Sequence, residues 1–194
     1  MEKELYSVVV YPSEGGRDAV AKMKDSLAAK LGRTYSGRNS VASVTICEFL
    51  AQPSELTIIM EYLKQFCRTA PQREFNFSQI YAFHTTCYIA PDDQTREFFK
   101  SLLKAFKKSF PFHRRLFGVK FSTGAHIVIG RLLDSSQLDV AAKMFIDRKA
   151  DIRFQADEFV IRKFDPERKE FDNIARFKFK VGMGALQHYQ LSIF

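Results

Sequence analysis

The sequence predicts an α+β fold: two similar, pseudo-symmetric lobes, each an antiparallel sheet with helices packed outside, around a concave central groove. Both lobes belong to one domain spanning residues 1–194. Three observations carry this expectation. A strand–helix–strand order recurs along the chain, and such mixed orders build layered folds. In both halves that order ends in a strand of the same form, Val41-Ala42-Ser43-Val44-Thr45-Ile46-Cys47 and then Gly124-Ala125-His126-Ile127-Val128-Ile129-Gly130. Each of these stretches alternates with period two, which sends one residue set into a core and its neighbours to the opposite face.

Leu5–Tyr11 carries Val8-Val9-Val10, a buried-strand pattern, and Pro12-Ser13-Glu14-Gly15-Gly16 ends it. Val20, Met23, Leu27 and Leu31 recur at helical spacing, Gly32 is placed to close that helix, and Thr34–Ser40 is a polar loop. After the Ser43/Thr45 strand, Pro53-Ser54-Glu55 opens a second helix with Ser54 as the expected N-cap and Leu56, Ile59, Leu63 and Phe66 inward. Glu74–Ala90 alternates strongly and reads as one or two strands with a kink or turn near Ser78–Ile80. In Tyr81–Ile89 the pattern puts Tyr81, Phe83, Thr85, Cys87 and Ile89 on one face and Ala82, His84, Thr86 and Tyr88 on the other. Pro91-Asp92-Asp93 starts a third helix with Phe98, Phe99, Leu102, Leu103 and Phe106 along one side. Asp134-Ser135-Ser136 caps a fourth, with Leu138, Ala141, Ala142 and Phe145 inward. Ile152–Phe164 and Ile174–Val181 read as a closing hairpin whose solvated face, with Arg162, Lys163, Arg176, Lys178 and Lys180, is basic.

The paired motif strands resemble the His-x-Thr/Ser-x strands of the two-histidine phosphoesterases, which include the 2'-5' RNA ligases and cyclic nucleotide phosphodiesterases. The resemblance extends in element order from the Tyr6–Tyr11 strand to the final hairpin. It implies two halves that face each other, each giving one histidine and one hydroxyl to a phosphate. Here the first motif keeps its hydroxyl at Thr45 but has Ser43 where histidine is expected. The second keeps His126 but has Val128 where the hydroxyl is expected, so the chain resembles a degenerate member. His84-Thr85-Thr86 is a literal His-x-Thr and makes His84 the candidate replacement for the missing imidazole, beside His126 as the other catalytic candidate. Thr45 and Ser43 are the candidate phosphate-binding residues.

Composition narrows the remaining classes. A formal charge of +8, from 30 Lys and Arg against 22 Asp and Glu, favours an anionic partner. Between Lys104 and Phe121 the chain has six cations, no acid and five phenylalanines. That interleaving suits single-stranded nucleic acid, with Lys107, Lys108, Arg114 and Arg115 as candidate nucleic-acid-binding residues at the groove mouth. Phe106 and Phe110 continue a helix stripe and are expected in the core, which leaves Phe112 and Phe117 as free rings. Cys47, Cys67 and Cys87 are odd in number, lack C-x-x-C spacing and sit in apolar patterns, so buried reduced thiols and a cytoplasmic setting are expected. The amino terminus has no signal pattern, and no window approaches the roughly 18 apolar residues that span a bilayer, so no membrane partner is expected. The four histidines, at 84, 113, 126 and 188, have no metal-ligand spacing, and no glycine-rich phosphate loop is present. No cofactor and no metal are expected.

Hydrolysis of a 2',3'-cyclic phosphate requires a base for water, an acid for the leaving ribose oxygen and donors for the free oxygens; the resemblance implies two imidazoles and two hydroxyls. Each acid–base group contributes roughly 10²–10⁴ in rate, so serine at 43 costs about 3–5 kcal/mol of transition-state stabilisation unless another group replaces it. Ser43 still donates a hydrogen bond, so binding outlasts turnover. Three readings stay open: a weak phosphodiesterase, a non-catalytic binder of a nucleotide or RNA end, and a protein-interaction module that leaves the groove unused.

Overall fold

The computed structural model describes residues 3–110 and 117–180. Strand β1 (Glu4–Val10) leads into helix α1 (Glu14–Leu31), then strand β2 (Val44–Ala51). The α1 backbone starts where Ser13 Oγ accepts from the Gly16 N–H and stops at Gly32, whose φ of 64° is one that side chains disfavour. Helix α2 (Pro53–Cys67) has proline in its first turn, where a backbone N–H has no partner to lose. Its cap is Gln52, not the expected Ser54: the Gln52 N–H donates to Glu55 Oε2 at 2.7 Å, and Pro53 already carries the chain into the helix. Strands β3 (Arg73–Phe83) and β4 (Thr86–Pro91) follow, then α3 (Asp93–Ser109), capped by Asp92 accepting from the Thr95 N–H. Strands β5 (Phe117–Phe121) and β6 (Ile127–Gly130), helix α4 (Ser135–Phe145) with its Asp134 cap, and strands β7 (Lys149–Ala156), β8 (Glu158–Asp165) and β9 (Glu170–Lys178) complete the order.

The strands form two sheets, β5-β2-β1-β8-β9 and β6-β4-β3-β7, and every neighbouring pair is antiparallel. The class is therefore α+β with antiparallel sheets, as the sequence predicts. Helices α1 and α4 pack on the four-stranded sheet and α2 on β8 and β9. One cluster of buried apolar side chains runs through both sheets, from Val8, Ile46 and Phe49 to Phe77, Ile89 and Ile129. Phe106 and Phe110 lie within it, stacked on each other at 5.1 Å and packed with Phe66 and Phe121.

Three expectations are corrected. Ile152–Phe164 is not one strand of a closing hairpin. It divides at Asp157 into β7, an edge strand of the four-stranded sheet with one wet face, and β8, which sits between β1 and β9 in the other. The hairpin is β8–β9, and Arg162, on a strand flanked on both sides, is 5% exposed instead of solvated. Tyr81–Ile89 is not one strand either. The β3–β4 turn falls at His84–Thr85, with His84 at φ 54°, so Tyr81 pairs with Tyr88 and Phe83 with Thr86. The kink expected near Ser78–Ile80 is present, as a register shift between Phe77 and Gln79 against both neighbouring strands.

Candidate phosphate site between the two sheets

The two motif stretches enter their sheets in the same way. Ser43 and His126 each stand one residue before a strand begins, and Thr45 and Val128 are the second residues of β2 and β6. Alternation then turns both pairs away from the buried set, Val44 and Ile46 in one strand and Ile127 and Ile129 in the other. These four residues line one pocket of about 120 Å³, together with Ser40, Val41, Thr86 and Arg131. The walls thus come from both sheets: Thr45 belongs to the five-stranded sheet, Thr86 and Val128 to the four-stranded one.

His126 is half-buried, and its Nδ1 lies 3.1 Å from the Gly124 carbonyl oxygen. A carbonyl can only accept, so this contact places the proton on Nδ1 and leaves Nε2 with a lone pair. Burial lowers the His126 pKa first; the Gly124 contact raises it, and the Arg131 guanidinium lowers it further. The net shift is downward, which keeps the ring neutral at physiological pH, the state a general base requires. The edge of the ring meets Tyr88 at 5.7 Å. Around it stand hydroxyls from Ser40, Ser43, Thr45 and Thr86 and one guanidinium, a set of donors suited to an oxyanion.

A buried lysine shapes the wall that Ser40 and Val41 provide. Lys24, 2% exposed, donates from Nζ to the Gly37 carbonyl at 2.8 Å, the Ser40 carbonyl at 2.6 Å and Ser40 Oγ at 2.9 Å. Burial pushes its pKa down to about 8, with Arg131 and Arg38 adding to the fall, so the ammonium stays charged at neutral pH and ties the loop to α1.

The other sequence candidates fall elsewhere. His84 is exposed in the β3–β4 turn, its ring 4.1 Å from that of Phe83, and it is not among the residues lining the pocket. The threonine of its His-x-Thr is: Thr86 reaches the pocket where His84 does not. Lys107 sits over the Phe121 ring at 5.2 Å, Lys108 is in the last turn of α3, and neither lines the pocket. Phe112, His113, Arg114, Arg115 and His188 lie outside the described residues. Gly130 makes room for Tyr35 and Leu133, whose carbons lie 3.1 and 3.2 Å from where its Cβ would be. Sequence reasoning missed Arg131, Ser40 and Thr86. Arg131 was marked only by its place directly after the motif strand.

A larger pocket, of about 310 Å³, lies beside the start of α3. Its polar groups already serve the fold: Asp92 caps the helix and accepts from Asn76 Nδ2, and Thr95 Oγ1 accepts from the Asn76 N–H. The cysteine thiols are all buried, none is in a disulfide, and burial raises the pKa of each. Among the described residues no group of histidine, cysteine and carboxylate side chains could hold a metal, and no helix is long and apolar enough to cross a membrane.

Among the described residues, this arrangement of two antiparallel sheets and four helices is a fold shared with solved structures of a phosphoesterase and of LigT. In particular, the chain is similar to TT0787 of Thermus thermophilus, with a TM-score of 0.66 at 11% identity over 91% of this chain and 98% of that one. It is also similar to E. coli LigT in its complex with 3'-AMP (TM-score 0.65, 10% identity, 92% and 99% covered). Kluyveromyces marxianus Usb1 is similar at a TM-score of 0.53 and 14% identity over 82% of this chain and 94% of that one. At these identities the likeness is one of fold. LigT has also been crystallised with phosphate, ATP and NADP+. No family model matches the sequence, and no curated protein matches it.

Proposed function

We propose that the protein binds the phosphate of a nucleotide or RNA end in the pocket between Thr45 and His126, and that it hydrolyses 2',3'-cyclic phosphates slowly or not at all. The observation that carries this reading is the meeting of His126 with Ser43 and Thr45 across two sheets in one small polar pocket. His126 serves as the single base through Nε2. Thr45, Ser43, Thr86 and Arg131 hold the oxygens, and the pocket lining has no second imidazole to protonate the leaving ribose oxygen. The nucleotide complexes of LigT support the ligand class, and the fold shared with LigT and Usb1 supports the chemistry it derives from. The basic Lys107–Lys120 segment belongs to the same proposal as a source of sequence-independent attraction, and a cytoplasmic setting accords with it.

The test is repair. Wild type is assayed against 2',3'-cyclic AMP beside Ser43→His/Val128→Thr, and a gain in turnover of roughly 10²–10⁴ is expected from the restored acid–base group. Adding His126→Ala should remove that gain. Robust wild-type turnover that survives His126→Ala would overturn the assignment.

A further inference from the structure

Of the seven large apolar side chains that stand exposed among the described residues, one lines this polar pocket, one follows a lining residue in the chain and two stand on the sheet surface that carries two of its walls. Val41 lines it, Leu132 follows the lining residue Arg131, and Tyr81 and Phe83 project from the same sheet surface as Thr86 and Val128. The register fixes where the two rings lie. Phe83 pairs with Thr86, one strand spacing from the pocket wall; Tyr81 pairs with Tyr88, which pairs with Val128, two spacings away. These are distances of about 5 and 10 Å. Tyr81 stacks on Tyr88 at 5.9 Å, and Tyr88 meets His126 edge-on, so aromatic surface runs without a break from the imidazole outward. Tyr81 and Phe83 nevertheless keep 46% and 61% of their surface exposed.

From this juxtaposition we infer that Tyr81 and Phe83 form a stacking platform for the bases of a single-stranded oligonucleotide whose phosphate occupies the His126 pocket. The inference rests on the proposed phosphate site and narrows its ligand to a chain of several nucleotides. Separated by two strand residues, the rings are about 6.8 Å apart. Bases stacked on each other along a duplex strand rise only about 3.4 Å, so the two rings suit neighbouring bases of an unstacked chain and not a duplex. Base–aromatic stacking tolerates any sequence because every base has a π face, so the platform gives affinity without base preference. Lys149, exposed and paired with Gln79 on the next strand, adds a cation beside the rings for the backbone.

The whole chain is titrated with a fluorescein-labelled single-stranded RNA hexamer ending in a 3'-phosphate, followed by anisotropy, and with inorganic phosphate, followed by the His126 imidazole resonance. The hexamer should bind at least tenfold more tightly than phosphate. Tyr81→Ala and Phe83→Ala should each weaken the hexamer by about 5- to 100-fold while leaving the phosphate response unchanged. Phe83→Trp should retain hexamer affinity, and an abasic hexamer should bind wild type no better than the alanine variants bind RNA. Equal hexamer affinity in wild type and the double alanine variant, with His126 still sensing phosphate, would overturn the platform and leave the phosphate site standing. Failure of both ligands to move the His126 resonance would overturn both.

Discussion

His126 owes its neutral state to its place in the fold. Its pKa is lowered in the folded chain, whereas an unfolded histidine titrates near about 6.5. Below that value the unfolded state takes up a proton that the folded state refuses, so this residue's contribution to stability is present above about pH 6.5 and is lost as pH falls through the folded pKa. Unfolding free energies measured from pH 7.5 down to 5 should therefore fall less steeply in His126→Gln than in wild type. Identical slopes would mean the imidazole titrates freely. Of the pocket residues, Ser43, Thr45 and His126 were legible because the two stretches resemble a known pair of motif strands, and a strand's period of two puts those positions on the face away from the core. Arg131, Ser40 and Thr86 were not, because their positions depend on where a strand stops and a loop turns back.

The β3–β4 hairpin shows how such a boundary is lost. In Tyr81–Ile89 the apolar triplets Tyr81–Phe83 and Cys87–Ile89 flank His84-Thr85-Thr86, and no glycine, proline or asparagine marks the turn. His84 takes the left-handed conformation at φ 54° instead, and this one irregularity reverses the faces of everything after it. A side chain in that conformation costs roughly 1–2 kcal/mol, so His84→Gly should keep or raise the melting temperature. The same variant should leave phosphate binding intact, since His84 stands outside the pocket lining; a loss of phosphate affinity at unchanged stability would return His84 to the site. The β7–β8 boundary at Asp157 was hidden for a related reason. Alternating β7 and β8, buried over its first five residues, are both strand patterns, and sequence alone does not show that they belong to different sheets.

On the scale of the whole molecule, the buried thiols set the response to alkali. The pKa values of Cys67 and Cys87 are pushed up to about 12 by burial, and that of Cys47 is raised as well. An unfolded chain releases thiol protons from about pH 8.5 while the folded chain retains them, so stability falls as pH rises, at up to about 1.4 kcal/mol per pH unit for each thiol. Lys24 works in the opposite direction between its folded value of about 8 and about 10.4, because its ammonium deprotonates more readily when folded. Three thiols outweigh one amine, and the melting temperature should drop between about pH 8.5 and 9.5, below the range in which Tyr6 and Tyr35, whose pKa values burial also raises, join them. Substituting all three cysteines by alanine should flatten or reverse that slope, even though the cavities lower stability at every pH; an unchanged slope would show that the thiols do not govern it. The fold class was legible at this scale because strand and helix periods sum over many residues. The pairing of β1 with β8 was not, since register between distant strands leaves no local trace.

That pairing constrains how the chain acquires its shape during synthesis. The Tyr11 hydroxyl meets Asn173 across 162 residues, and β1 lies between β2 and β8. A nascent chain that has emerged only as far as α4 can form the β1–β2 ladder, but the other edge of β1, with Val8 and Val9, has no strand to close it. Unpaired edges of this kind are templates for association with other chains, and contacts this far apart in sequence form slowly. The interval between the emergence of β1 and that of β8 is thus the period in which the polypeptide most depends on chaperones, and a stop codon anywhere in it would yield an aggregation-prone product.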